Sequence, residues 1–162
     1  SGHAAIRPIC KLEKETTEHF ILHCIAKPHP GWVLAGSSRR ELSRAIVKIR
    51  LLTGTYLLEG RKSHMRKSVK AGRCPLCDLE TETREHFLLK CAVLEMVREP
   101  YMFHIGRYVN TRSLSEDDRV RLILDPSHFT QNQEQLQTLE ETTRRLCYAL
   151  HHHRLQLLQR NV

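Results

Sequence analysis

Four residues in the middle of the chain have the types and spacing to close around a metal ion. Cys74-Pro75-Leu76-Cys77 sets two thiols on one tight turn, His86 follows, and Cys91 lies five residues beyond it. Cys-x2-Cys-x8-His-x4-Cys is a zinc-ligand spacing, because a thiol pair on a turn and a His/Cys pair on a following helix complete a tetrahedron that neither piece fills alone. Three thiolates and a neutral imidazole leave a Zn²⁺ site at net −1 with no open position for a reacting water, so the expected ion is structural. On an ideal α-helix, residues five apart diverge by about 140°. His86 is therefore expected in the first helical turn, with the helix distorted or rotated to bring Cys91 inward.

The N-terminus repeats the pattern 67 residues earlier. Arg7-Pro8-Ile9-Cys10 followed by Glu15-Thr16-Thr17-Glu18-His19-Phe20-Ile21-Leu22-His23-Cys24 aligns with Cys74-Pro75-Leu76-Cys77 followed by Glu82-Thr83-Arg84-Glu85-His86-Phe87-Leu88-Leu89-Lys90-Cys91. In this degenerate copy the leading cysteine is Arg7, which leaves Cys10, His19 and Cys24 as three ligands. His3, His23 and His29 are the nearest candidates for a fourth; otherwise the turn is kept by packing. An arginine beside a cation site is unfavourable, so weak or absent metal is the expectation here. Three ligands and a water would formally match a catalytic zinc, but no general base accompanies them.

Around these motifs the charge is uneven. The chain has 162 residues and net charge +8, and eleven basic residues fall between Arg39 and Arg73 against two acidic ones, Glu41 and Glu59. The rest is near neutral. A concentrated patch of this kind suits a polyanion, nucleic acid before a membrane surface, while its bland reading is a solvated basic face that keeps the protein soluble. The candidate phosphate contacts are Arg40, Arg44, Lys48, Arg61, Lys62, Arg66, Lys67 and Lys70.

The elements that must position these groups read as helices. Ser38 with Glu41 forms a capping box, and Leu42, Ala45, Ile46, Ile49 and Leu52 recur at helical spacing until Thr53-Gly54. That stripe is expected in the core, with Arg40, Arg44, Lys48 and Arg50 on the opposite face. A helix over 85–98 carries Phe87, Leu88, Cys91, Leu94 and Val97, and Pro100 is expected to interrupt it. Tyr101, Met102, Phe103, Ile105 and Tyr108 read as core, with stacking on bases the alternative. Ser115 caps a short helix that stops before Pro126. Leu136, Leu139, Leu146, Leu150 and Leu157 alternate by three and four, with Thr143 and His153 between, as in a long helix packed on the domain or forming a coil. Cys147 reads as a buried small hydrophobe, and His151, His152 and His153 as surface or partly buried groups.

The expected fold is mainly α, a small helical domain stabilised by the CCHC knuckle. Its segments are 1–30 (degenerate knuckle and linker), 31–73 (basic helical segment), 74–110 (knuckle and following helix) and 111–162 (C-terminal helical region). No apolar run spans a membrane. The start at Ser1-Gly2-His3, without a methionine or a basic-then-apolar leader, reads as a fragment of an intracellular protein, nuclear or cytoplasmic, rather than a secreted precursor. No paired carboxylates, Ser/His/Asp set or Walker motif can be assembled, so no enzyme is expected.

From Ile49-Arg50-Leu51-Leu52-Thr53-Gly54 through the Cys74 turn to Cys91, and again at Thr143-Arg144-Arg145-Leu146-Cys147-Tyr148-Ala149-Leu150-His151, the chain resembles the region beyond the polymerase core in LINE-type (non-LTR) retrotransposon reverse transcriptases. The resemblance covers about residues 40–160 and implies zinc on Cys74, Cys77, His86 and Cys91, with a role in holding RNA or DNA. The polymerase palm is missing and the duplicated knuckle departs from the family's usual single copy, as in a duplication within an element or in a host protein derived from one. Two functions follow: a nucleic-acid-binding zinc module, non-catalytic by itself, or a zinc-scaffolded protein-interaction or dimerisation module using the C-terminal leucine-rich helix.

Overall fold

The computed structural model describes residues 38–62 and 72–160, with side chains omitted at 61 and 62. The degenerate knuckle with Cys10, His19 and Cys24, and the basic residues Arg66, Lys67 and Lys70, lie outside the described residues. The described chain is mainly helical: α1 (Arg39–Leu52), α2 (Glu59–Lys62), α3 (Glu95–Ile105), α4 (Glu116–Leu124) and α5 (Gln133–Arg160). Between α2 and α3 lies the knuckle, whose first half is pinned by an isolated antiparallel bridge between Arg73 and Thr81.

Local chemistry explains the helix ends. Ser38 Oγ accepts the Glu41 amide at 3.2 Å to start α1. Thr53 donates back to Ile49 at 2.8 Å, and Gly54 turns the chain at φ +70°, a left-handed conformation that a side chain would strain. Ser115 Oγ accepts the Asp118 amide at 3.1 Å to open α4, and Asn132 Oδ1 does the same for Gln135 at 3.0 Å at the head of α5.

The 28-residue α5 is the spine of the fold, with α1 and α3 packed along it and α4 against α1. Val47, Phe87, Leu88, Leu94, Ile105, Leu122, Leu139, Leu146 and Leu150 belong to one hydrophobic core. The described parts of segments 31–73, 74–110 and 111–162 all contribute to it. The leucine seam of α5 thus packs within the domain: Leu139, Thr143, Leu146 and Leu150 are fully buried, while the next seam position is filled by buried Arg154 rather than by His153. Cys147 is fully buried beside them, and that burial pushes its thiol up to about 12.

Three sequence expectations are corrected. First, α1 is buried over more of its circumference than its apolar stripe implies. Ala45 and Ile49 pack with Leu42, Ile46 and Leu52, whereas Val47 and Leu51 enter the main core. Along the line Arg40–Arg44–Lys48 exposure falls from exposed to half-buried to fully buried, and Lys48 enters the α5 contact instead of facing solvent. Second, Pro100 does not break its helix, since α3 runs through it to Ile105. The acceptor its missing amide would have used, Met96 C=O, lies at a residue 87% exposed, where water can satisfy it. The chain breaks instead at Cys91, where ψ is 113°. Third, Phe103 is not core but 75% exposed, and Tyr108 is also on the surface; Ile105 is buried, with Tyr101 and Met102 half-buried.

Candidate metal centre

The knuckle begins with Cys74 donating its amide to Glu80 at 2.8 Å and accepting the Asp78 amide at 2.9 Å, which closes the turn and points both thiols to one side. Asp78 takes φ 52° to complete it. From His86 to Lys90 the chain forms a π turn, and the Cys91 amide donates to the His86 carbonyl at 2.8 Å. This is the distortion that the five-residue interval demands: an i→i+5 bond widens the turn until the fifth residue lies over the first.

The ligand atoms of Cys74, Cys77, His86 and Cys91 all lie within 4.8 Å of one another. Cys74 Sγ and Cys91 Sγ are 3.9 Å apart, and Cys77 Sγ is 3.4 Å from His86 Nε2. A tetrahedron with bonds of about 2.0–2.3 Å has edges of roughly 3.3–3.8 Å, so the two shortest separations are close to tetrahedral edges and a small contraction of the set would close it on one ion of zinc size. His86 Nδ1 is 3.2 Å from the Glu80 carboxylate, which orients the ring and leaves Nε2 for the metal.

Protonation within the cluster is uneven. Burial pushes Cys74 up to about 12 and raises Cys91 as well. For Cys77 burial also acts upward, but it is outweighed by the amides of Leu79 and Glu80 and by hydrogen bonds from the neighbouring thiols, so its pKa is lowered. A bound dication would drive the remaining thiols to thiolates, coupling metal uptake to proton release. Three sulfurs and one imidazole nitrogen form a soft, complete donor set, which could hold one metal ion and leaves no ligand position for chemistry.

Three buried polar groups hold the centre in place. Arg98, on α3, donates from Nε to Leu88 C=O at 2.7 Å and from Nη2 to Cys91 C=O at 3.1 Å, satisfying carbonyls that the π turn leaves exposed. Burial lowers its pKa, partly offset by Cys91 and Glu95. Glu82, 1% exposed, takes a two-bond grip from Arg154 of α5, at 2.6 and 2.8 Å, and accepts the Glu59 amide at 2.8 Å. Gly60 then donates to Glu82 C=O at 3.2 Å, and a Cβ there would sit 2.7 Å from that oxygen, so only glycine permits α2 to dock this closely. None of these three was singled out by sequence reasoning. The available signals were the glutamate present in both copies of the motif, Glu15 and Glu82, and a charged residue, Arg154, beside the leucine seam of the C-terminal helix.

The sequence-predicted phosphate contacts divide. Arg40 is exposed at the start of α1. Arg44 is half-buried and paired with Glu41. Lys48 is 0% exposed and donates to Glu140 at 2.7 Å and Thr143 at 2.9 Å on α5, so it cannot meet a phosphate. Its placement on a solvent face was wrong because a long aliphatic stem with a paired ammonium is tolerated in a helix contact. Arg61 and Lys62 lie on α2, whose Glu59 and Gly60 bond to Glu82 of the knuckle. Exposed Arg39, Arg50 and Arg73 belong to the same basic segment.

Among the described residues, no helix is long and apolar enough to cross a membrane. Compared with known proteins, the chain matches no family model, no curated protein and no solved structure.

Proposed function

We propose that this chain is a zinc-stabilised nucleic-acid-binding module, non-catalytic by itself, of the kind that follows the polymerase core in LINE-type retrotransposon reverse transcriptases. The observation that carries this reading is the direct passage of the basic segment into the Cys3His cluster: Arg73 precedes the first ligand, and α2, with Arg61 and Lys62, is docked on the loop that joins the ligand pairs. Zinc is the ion favoured by three thiolates and one imidazole in a tetrahedron. Its role is to rigidify a knuckle that has little apolar core of its own, and with it the platform from which the arginines and lysines reach phosphates.

Leu139, Leu146 and Leu150 of the α5 seam are buried inside the domain, which favours this reading over dimerisation through that helix. The test is the salt dependence of binding by zinc-loaded protein to single-stranded RNA, duplex DNA and a structured RNA. About five phosphate contacts on duplex DNA would give a slope of log K against log salt near −4 to −5. Absence of binding to all three at low salt, with zinc in place, refutes the reading.

A further inference from the structure

Where α3 ends, the chain folds back on itself and leaves a hollow of about 420 Å³ lined by Met102, Phe103, Arg107, Asn110, Thr111 and Arg112. The backbone around it is held on both sides: Gly106 donates to Met102 C=O at 2.9 Å, Val109 to Ile105 C=O at 3.1 Å, and Ser113 to Asn110 C=O at 3.3 Å. Phe103 stands 75% exposed at this edge and belongs to neither hydrophobic cluster. Arg107 and Arg112 are exposed, and neither guanidinium is engaged by a carboxylate among the described residues. No acidic side chain lines the hollow.

We propose that this hollow receives an unpaired base of a single nucleic-acid strand, stacked on Phe103, with the flanking phosphates held by Arg107 and Arg112. The inference rests on the nucleic-acid reading and names the strand type it favours. An aromatic face displayed on a rigid helix end is a stacking platform for any base, because every base offers a π-face. In a duplex both faces of each base are already stacked, so the ring has nothing to add there. The two cations provide the backbone contacts that hold the strand beside the ring, and Asn110 and Thr111 offer donors and acceptors to the base edge. A purely apolar protein knob would have to desolvate both guanidiniums without pairing them, which disfavours that occupant. The volume falls in the usual range for small-ligand clefts, roughly 300–1,000 Å³.

The test uses the zinc-loaded full chain with a fluorescent oligouridylate, a fluorescent oligothymidylate and a duplex of equal length, read by anisotropy across salt concentrations. Phe103→Ala should weaken single-strand binding by about 5- to 150-fold while leaving duplex binding and the salt slope unchanged. Phe103→Trp should retain single-strand affinity, with its added indole emission quenched on binding. Arg107→Gln with Arg112→Gln should flatten the single-strand slope by about 1.4. Because Phe103 makes no core contact, circular dichroism of the alanine variant should match the parent. The proposal is overturned if Phe103→Ala binds single strands as the parent does, or loses single strands and duplex alike. If the parent binds no nucleic acid, the broader reading falls and this inference with it; the parent's own binding separates the two failures.

Discussion

Replacing Arg154 with methionine removes one half of the buried pair that fastens the knuckle to α5. Methionine keeps much of the side-chain volume but withdraws both hydrogen bonds from the Glu82 carboxylate, which is 1% exposed and is left with the Glu59 amide. The stranded carboxylate has little access to water, and breaking a buried pair in this way costs about 3–5 kcal/mol. With a urea m-value of about 2 kcal/mol/M for a chain of this size, the midpoint should fall by roughly 1.5–2.5 M. Equilibrium urea unfolding of the zinc-loaded protein, followed by far-ultraviolet circular dichroism, measures it. Adding Glu82→Gln to Arg154→Met neutralises the stranded charge and keeps a carbonyl for the Glu59 amide, so the double variant should recover at least half of the loss. A single-variant shift below about 0.5 M, or a double variant no better than the single, would refute the claim that this pair anchors the knuckle.

Other outcomes follow from the same contacts. Lys48→Met leaves Glu140 without its ammonium partner and should destabilise the fold by about 3 kcal/mol or more, while the salt slope of nucleic-acid binding at temperatures where the variant is folded stays unchanged; a reduced slope would return Lys48 to the phosphate-contacting set. Cys77→Ser should lower the bound zinc, measured by elemental analysis of the full chain, by one ion, and chelation of the parent should reduce its helical signal; an unchanged zinc content would remove Cys77 from the site. Burial, with Arg154, His152 and Arg50 nearby, depresses the pKa of His151 below its ordinary 6.5. The unfolded chain therefore binds the proton more readily, so this group's stabilisation is present above about pH 6.5 and is lost as pH falls through the folded value. His151→Gln should flatten the urea midpoint between pH 7.5 and 5.5 relative to the parent, and an equal acid loss in both proteins would exclude His151 as its source.

Much of the ligand arrangement is legible in the sequence because its chemistry is local. Two cysteines three apart on a turn, and a histidine and cysteine five apart, require both a convergent site and a distorted helix, and the π turn at His86–Lys90 is that distortion. The caps at Ser38 and Ser115, the stop at Thr53-Gly54 and the long C-terminal helix are equally local, since a cap or a glycine acts within one turn. Periodicity also identifies the leucines of α5 as a buried seam, although it leaves open what lies against them.

What periodicity cannot assign is the partner of each face. A basic line at positions 40, 44 and 48 looks the same on paper whether it meets water or a carboxylate 92 residues away, and only the approach of α5 turns Lys48 inward to Glu140. The same holds for Phe103: an aromatic residue in a helix is ordinarily core, and its exposure follows from α3 presenting its other side to α5. Glu82 and Arg154 carry no local signature of pairing because they meet across 72 residues. The sequence by itself therefore determines the Cys/His set that could hold a metal ion, the helical ends and the concentration of positive charge, all set by neighbours along the chain. Tertiary packing alone decides which charges are buried in pairs and which are left free, because the cost of desolvating a charge depends on what is brought against it.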